Sequence, residues 1–271
     1  MEGKSVSGYR LAVIGAGSMG SAILRGILEK EIMSPEDIWL ANPHLEKMEP
    51  FGDKGVHTTC DNREAVLQAD VVILAVKPQR IEQVVTQLAD LTAGKCVVSI
   101  AAGISRTWLK QRLPGAMVLC VMPNTPLMLG CGACAMTEPE EMPQELFRFA
   151  YSLFACAGVV ELVREDLMNA VIPVNGSSPA FFFRMAQVMT QAAVDSGIDA
   201  EAAARLTAKT MEGAALMLQH SGKSARALEA QVCSPGGTTL AALTAFDEMG
   251  FEPMIREAFR RCVHRAEELG R

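Results

Sequence analysis

Apolar positions in the first part of the chain fall into short runs separated by stretches of helical period. Residues 9–14, 38–41, 55–58, 70–76, 96–101, 117–122, 133–137 and 158–162 read as strands. Helices are expected over 18–30 and 62–68, with another beginning at Pro78. The run 70–76 is apolar without alternation after its first residue, as befits a central parallel strand covered on both faces. Strands alternating with helices at this spacing predict an α/β fold, a Rossmann-type doubly wound sheet.

Beyond about Arg164 the pattern changes. Strand-like runs stop, and Ala, Met, Leu, Gln and Glu recur at helical spacing. Ser178-Pro179 reads as an N-cap with proline at the first helical position. Asp199 caps a helix over 200–220, and two more are expected over 239–249 and 252–269. The predicted division is therefore 1–163, a dinucleotide-binding domain, and 164–271, an all-helical C-terminal domain. The most apolar stretch, 180–197, is interrupted by Arg184, Gln187, Gln191 and Asp195, so it reads as a buried helix and not a membrane span. The small residues Gly213, Ala214 and Ala215 permit close helix contacts, so association through these helices is expected; a self-contained bundle is the other reading.

Charge narrows the partners. A formal net charge of −6 leaves no basic footprint for nucleic acid or an anionic membrane, so any anionic ligand must be held by local donors. The start, MEGKSVSGYR, lacks an apolar core of signal-peptide length, and a cytoplasmic enzyme is expected. Eight cysteines are then expected to be reduced and buried. Cys131-Gly-Ala-Cys134 has redox or zinc spacing, but no second pair of ligands and no thioredoxin-like context accompany it. No metal is expected.

Two glycine loops carry the chemistry. Val13-Ile14-Gly15-Ala16-Gly17-Ser18-Met19-Gly20 follows a strand and opens a helix, the context of a dinucleotide fingerprint. Gly15 permits the tight turn, Gly17 the approach of a pyrophosphate, and Gly20 close packing of helix on strand. The second strand ends Leu40-Ala41-Asn42-Pro43-His44, with Lys47 beyond and no acid at its tip; Asn42 can donate to either form of the cofactor, and His44 and Lys47 tolerate extra negative charge. An acid there would bind a ribose 2′-hydroxyl and repel a 2′-phosphate, so the expected cofactor is NADPH, with NADH admitted. Near the other end, Cys233-Ser234-Pro-Gly-Gly237-Thr238-Thr239 leads into a helix. Its amides and hydroxyls suit a carboxylate, although a plain helix cap has the same appearance.

Taken together, the first loop, Ala75-Val76-Lys77-Pro78, Ser99-Ile-Ala101-Ala102-Gly103, Met122-Pro-Asn124-Thr-Pro126, Gly176-Ser177-Ser178-Pro-Ala180 and Ser234-Pro-Gly-Gly-Thr-Thr239 resemble pyrroline-5-carboxylate reductases, in order from about residue 10 to 269. The resemblance implies reduction of 1-pyrroline-5-carboxylate to proline, the last step of proline biosynthesis. It implies homodimers through interleaved helical domains, often built into rings. It places Ala75, Val76, Lys77 and Pro78 along the cofactor and Asn62 near the adenosine ribose, with Ala101, Ala102, Gly103 and Asn124 toward the nicotinamide. Ser177 and Ser178 are implied to face the substrate, Ser234, Gly237 and Thr238 to surround its carboxylate, and Thr239 to reach the ring nitrogen. The chain departs from the family at Asn175, where serine is usual, at Ser178, usually glycine, and at Phe181, commonly tyrosine. The segment Lys223-Ser-Ala-Arg226 and Leu228-Glu-Ala230 departs as well. These departures bear on which imine is reduced. They admit another small cyclic imine carboxylate as substrate; a regulator that binds NADPH without turnover is a separate alternative, against which the intact Ser234–Thr239 segment speaks. A β-hydroxyacid dehydrogenase needs a base for its alcohol, and no suitably placed Lys, His or Asp is found.

Overall fold

The computed structural model describes residues 8–270. The first seven residues, on which much of the signal-peptide expectation rests, and Arg271 lie outside that range. Eight strands form one sheet: β1 (Leu11–Ile14), β2 (Ile38–Ala41), β3 (His57–Thr59), β4 (Val71–Leu74), β5 (Cys96–Ser99), β6 (Met117–Met122), β7 (Gly132–Thr137) and β8 (Gly158–Val163). Their order is β3-β2-β1-β4-β5-β6-β7-β8. All neighbours are parallel except β6 and β7. After β3 the chain returns to the other side of β1, so β1 and β4 flank a switch point. In open α/β sheets ligands bind beyond the carboxyl ends of the strands at such a point.

The helices are α1 (Ser18–Glu29), the short α2 (Glu49–Gly52), α3 (Asn62–Leu67), α4 (Pro78–Leu88), α5 (Arg106–Arg112), α6 (Gln144–Ala155) and the short α7 (Met168–Val171). They continue with α8 (Ser178–Asp195), α9 (Ala200–His220), α10 (Ala225–Val232), α11 (Thr238–Glu248) and α12 (Phe251–Leu269). The eight expected strands all form. Helices α2, α5, α6, α7 and α10 are additional to the sequence reading, although Leu146, Phe149, Ala150, Leu153 and Phe154 make a helical stripe and are buried in α6.

Alternation along the strands explains the continuous apolar runs. Leu11, Val13, Val71, Ile73, Val98, Leu119 and Val121 enter one core with Ile23, Leu24 and Ile27 of α1 and the stripe of α6. Ala12, Ile14, Val72, Leu74, Val97 and Val118 enter the opposite core with Val66 of α3, Ile81, Val85 and Leu88 of α4, and Leu109 of α5. Every second residue thus faces a different helix layer, and both must be apolar. Each fully buried Leu or Ile contributes about 1.5–3 kcal/mol.

By packing, the described residues form two compact units. One comprises residues 8–179 together with 262–270, the other Ala180–Arg261. The segment after β8 stays with the sheet because its polar groups are bonded there. Glu165 accepts from Arg106 Nε at 2.7 Å, and Asn175 Nδ2 donates to the carbonyls of Met122 (2.6 Å) and Ala133 (2.9 Å). The last turn of the chain belongs to this unit too: a Cβ on Gly270 would stand 2.1 Å from the Gly103 carbonyl oxygen.

Ser178 does not cap a helix start. The chain is already helical before it, in a wide turn over Ile172–Gly176, and the Ser178 hydroxyl donates back to the Val174 carbonyl at 2.6 Å. With no free N-terminus present, a cap has nothing to do. In the second unit only Ala203, Thr207 and Leu228 are buried among the described residues. Phe182, Phe183, Met185, Val188, Met189, Leu206 and Phe246 are exposed. A helical unit with so small a core of its own presents apolar surface to another partner. Among the described residues no helix is long and apolar enough to cross a membrane.

The cysteines are free, as expected, but not uniformly buried: Cys60 and Cys131 are exposed. Cys131 follows the left-handed turn at Gly130 ahead of β7 and points outward, whereas Cys134 faces the core. Burial pushes the thiols of Cys96, Cys120 and Cys134 up to about 12. An aromatic disulfide reagent at mildly alkaline pH should therefore modify Cys60 and Cys131 in the native protein. Cys96, Cys120 and Cys134 should react only after denaturation; peptide mapping that finds them labelled early would contradict this packing.

Candidate active site

The glycine loop lies at the switch point. Gly15 leaves β1 with φ +112°, a conformation that disfavours other residues, and its N–H donates to the Ala41 carbonyl at 2.8 Å. A Cβ there would sit 2.5 Å from the Ala75 carbonyl oxygen, and one on Gly20 would sit 2.2 Å from the Gly15 carbonyl oxygen. The backbones of β1, β4 and α1 thus meet at distances no side chain permits. Gly17 caps α1 with an extended conformation and no side-chain bond to the helix N–H groups. A Cβ on Gly17 would meet no protein atom within 4 Å, so the loop is open on that side.

Asn42 lines the cleft beside the glycine loop and also braces that loop. It is buried, its Oδ1 accepts from the Ala16 N–H at 3.2 Å, and its Nδ2 donates to the His44 carbonyl at 3.1 Å. One side chain thereby ties the tip of β2 to the middle of the glycine loop. Its bonds make it a brace for the loop.

Gly15, Gly17, Asn42, Asn62, Ala75, Val76 and Lys77 line one cleft with His44, Lys47, Arg80 and Gln87. Asn62 Nδ2 donates to Gln87 Oε1 at 3.1 Å, joining α3 to α4 across that cleft. Lys77 is the N-cap of α4 and Pro78 its first residue. Ala16, Ser18 and Met19 belong to the loop and to the first turn of α1. Sequence reading missed Arg80. It stands three residues past Lys77, and only the direction of α4 turns it toward the cleft.

Ala101, Ala102 and Gly103 follow β5. The Ala101 N–H donates to Ser99 Oγ at 3.3 Å, and Gly103, at φ +79°, packs on the last turn of the chain. Below this loop the buried Arg106 donates to Glu165 and to the Glu138 carbonyl, both at 2.7 Å. That brace also went unseen in the sequence, because its partners are 32 and 59 residues away. Asn124, buried after β6, accepts from the Ala133 N–H at 2.9 Å. The Ser177 hydroxyl accepts from the Cys262 thiol at 3.4 Å.

In the helical unit the second loop also opens a helix. Gly237 is the N-cap of α11, again with no side-chain bond to its N–H groups, and its own N–H donates to the Ser234 carbonyl at 2.9 Å. A Cβ on Gly237 would stand 2.3 Å from Ser234 Oγ, so the Ser234 hydroxyl needs this glycine. Thr238 and Thr239 begin α11 and Thr239 is half-buried. The unpaired N–H groups and the helix dipole make this turn an acceptor of negative charge. Among the described residues no group of three or more His, Cys, Asp or Glu could hold a metal ion.

The brace at Asn42 yields a direct expectation. Asn42→Ala removes the partner of the buried Ala16 N–H, at a cost of about 1–3 kcal/mol. Thermal melting should show that loss, and dinucleotide affinity measured by titration should fall while the affinity of the Ser234–Thr239 loop for carboxylates stays. An unchanged melting point would remove Asn42 as a brace.

Comparison with known proteins agrees with both loops. Residues 165–269 match the family of pyrroline-5-carboxylate reductase dimerisation domains, and residues 10–103 match the family described as NADP oxidoreductase, coenzyme F420-dependent. The chain is 35% identical to a pyrroline-5-carboxylate reductase of Corynebacterium melassecola, over 96% of this chain and 98% of that one. It is 32% identical to that of Escherichia coli K12, over 97% and 98%. The solved structure of a pyrroline-5-carboxylate reductase from Coxiella burnetii superposes with a TM-score of 0.91 at 32% identity, over 98% of this chain and all of that one. With likeness of this extent in sequence and in fold, the chain belongs to the pyrroline-5-carboxylate reductase family.

Proposed function

We propose that this protein reduces 1-pyrroline-5-carboxylate to L-proline with NADPH, hydride passing to the carbon of the C=N bond. The observation that carries the reading is the pair of open helix N-termini, at Gly17 and at Gly237, each preceded by glycines and lacking a side-chain cap. One suits a pyrophosphate and the other a carboxylate. The residues fit a dinucleotide: backbone N–H groups are free at α1, no protein atom crowds Gly17, and no acid lines the cleft.

The reduced nicotinamide, when bound, supplies the hydride. The chain supplies position. Gly15, Ala16, Gly17, Ser18, Met19 and Gly20 receive the phosphates, Asn62, Ala75, Val76, Lys77 and Pro78 line the adenosine half, and Ala101, Ala102, Gly103 and Asn124 set the nicotinamide end. Ser234, Gly237 and Thr238 hold the substrate carboxylate, with Ser177 and Ser178 as further substrate contacts. Thr239 orients the ring nitrogen and relays its proton; its hydroxyl has no hydrogen-bond partner among the described residues. A protonated imine is already electrophilic, so holding the two carbons within attack distance can contribute on the order of 7 kcal/mol or more.

The departures from the family support the same substrate. Asn175 and Ser178 are bonded to backbone carbonyls, and Phe181 packs on Phe259 with ring centroids 6.4 Å apart. Each altered side chain thus has a structural partner of its own. In this reading residues 1–163 carry the cofactor, and 164–271 carry the substrate loop and the dimer contact, with larger rings and a cytoplasmic location following the family. NADH serves as a weaker donor.

Purified protein given 1-pyrroline-5-carboxylate and NADPH should oxidise the cofactor and form proline, faster than with NADH. No turnover with either cofactor would overturn the reading; NADPH binding without turnover of any cyclic imine would make the chain a regulator. Thr239→Ala should lower kcat roughly 10- to 1,000-fold. Unchanged kinetics in a folded variant would remove Thr239 from the mechanism.

A further inference from the structure

The dinucleotide cleft carries a charge distribution at odds with the chain as a whole. The protein has a formal net charge of −6, yet among the described residues the cleft is lined by His44, Lys47, Lys77 and Arg80 and by no Asp or Glu. These side chains arrive from two sides. His44 and Lys47 lie in the turn that follows β2, while Lys77 and Arg80 lie at the start of α4 beyond β4. Helix α4 lays Arg80, Gln83, Val84 and Gln87 along the cleft, a stripe at helical spacing, with Cys60 and Asn62 also in its wall.

Their partners differ. His44 Nδ1 stands 3.4 Å from Glu46, so that imidazole already has a carboxylate. Lys77 caps α4 immediately beyond Ala75, whose carbonyl abuts Gly15, and therefore belongs to the crossing point of the glycine loop. Lys47 and Arg80 are exposed and have no ion pair among the described residues. Lys77 is exposed and without an ion pair among the described residues as well, so three such cations line one cleft and call for an anion; Lys77 sits at the crossing point, while Lys47 and Arg80 come from the two sides. In a doubly wound fold the adenosine ribose lies by that tip, and its 2′-substituent is what distinguishes the two nicotinamide cofactors.

We propose that Lys47 and Arg80 form a two-sided clamp for the 2′-phosphate and set the preference for NADPH over NADH. The inference rests on the dinucleotide reading above and adds the residues that select within it. Arg80 offers a planar fork to two phosphate oxygens, and Lys47 a compact charge from the opposite wall. Asn42, engaged with Ala16 and His44, sets the shape of the strand tip but makes no choice between the cofactors.

Adenosine 2′,5′-bisphosphate and 5′-AMP differ only in the group at issue, and titration calorimetry on the full chain reads their binding without turnover. Wild-type protein should bind the bisphosphate about tenfold more tightly or better, with a preference that shrinks as salt is raised. Lys47→Gln and Arg80→Gln should each weaken the bisphosphate by about tenfold and leave 5′-AMP within about twofold. The double variant should bind the two ligands alike, and its ratio of kcat/KM for NADPH over NADH should fall accordingly. Neither side chain has a hydrogen bond or ion pair among the described residues, so both variants should melt as the wild type does. A preference that survives in the double variant, or a parallel loss of both ligands, would overturn the clamp. Equal binding of the two ligands by wild-type protein would overturn it as well while leaving the dinucleotide reading intact; binding of neither ligand would sink that reading itself.

Discussion

Three backbones meet where the chain leaves β1, and the rest of the cofactor site depends on that contact. The Gly15 turn touches the end of β4, and the first turn of α1 at Gly20 touches the Gly15 carbonyl. Any Cβ at either position would drive apart the elements that bury Ile14, Leu74 and Ile23. The approach leaves the N–H groups at the start of α1 facing outward and uncapped, so packing and binding follow from one constraint. Asn42 then fixes the loop from the side, its Oδ1 accepting from the Ala16 N–H between the glycines.

The second glycine loop applies the same local physics in the helical unit. Ser234, Gly237 and the start of α11 form a turn whose donors are not consumed by the protein. The surroundings differ, however. The sheet unit encloses two apolar cores, one on each face, whereas the helices between 180 and 261 leave Phe182, Phe183, Val188 and Phe246 in solvent. An apolar helix surface of this kind is stabilised by association, in line with the match of 165–269 to a dimerisation family.

Several braces hold the site in place without belonging to any motif. Arg106 joins the start of α5 to Glu165 and the Glu138 carbonyl, beneath the loop of Ala101–Gly103 residues. Asn124 and Asn175 bond the N–H and the carbonyl of Ala133 from two separate segments. These contacts explain why the wide turn at Ile172–Gly176 belongs with the sheet and not with the helices that follow β8. They also explain how a chain that departs from its family at residue 175 keeps the surrounding architecture: the asparagine bonds two carbonyls that a shorter hydroxyl side chain would reach differently.

What the sequence by itself determined is what short-range rules govern. Strand alternation, helical period, the glycine spacing at 15, 17 and 20, and the acid-free tip after Ala41 were all legible, because each depends on residues close together in the chain. So were the eight strands and the second loop at Ser234–Thr239. The tertiary structure alone decided which distant groups meet: the Asn42 amide with the Ala16 N–H, Arg106 with Glu165, and Arg80 on the same cleft as Lys47. It also turned Ser178 from a predicted cap into a residue within a continuing helix, and left Cys131 exposed where burial was expected. The physical reason is common to all of these. Direction and partner depend on how whole elements pack, and spacing along the chain carries no record of a neighbour 26 or 59 residues away.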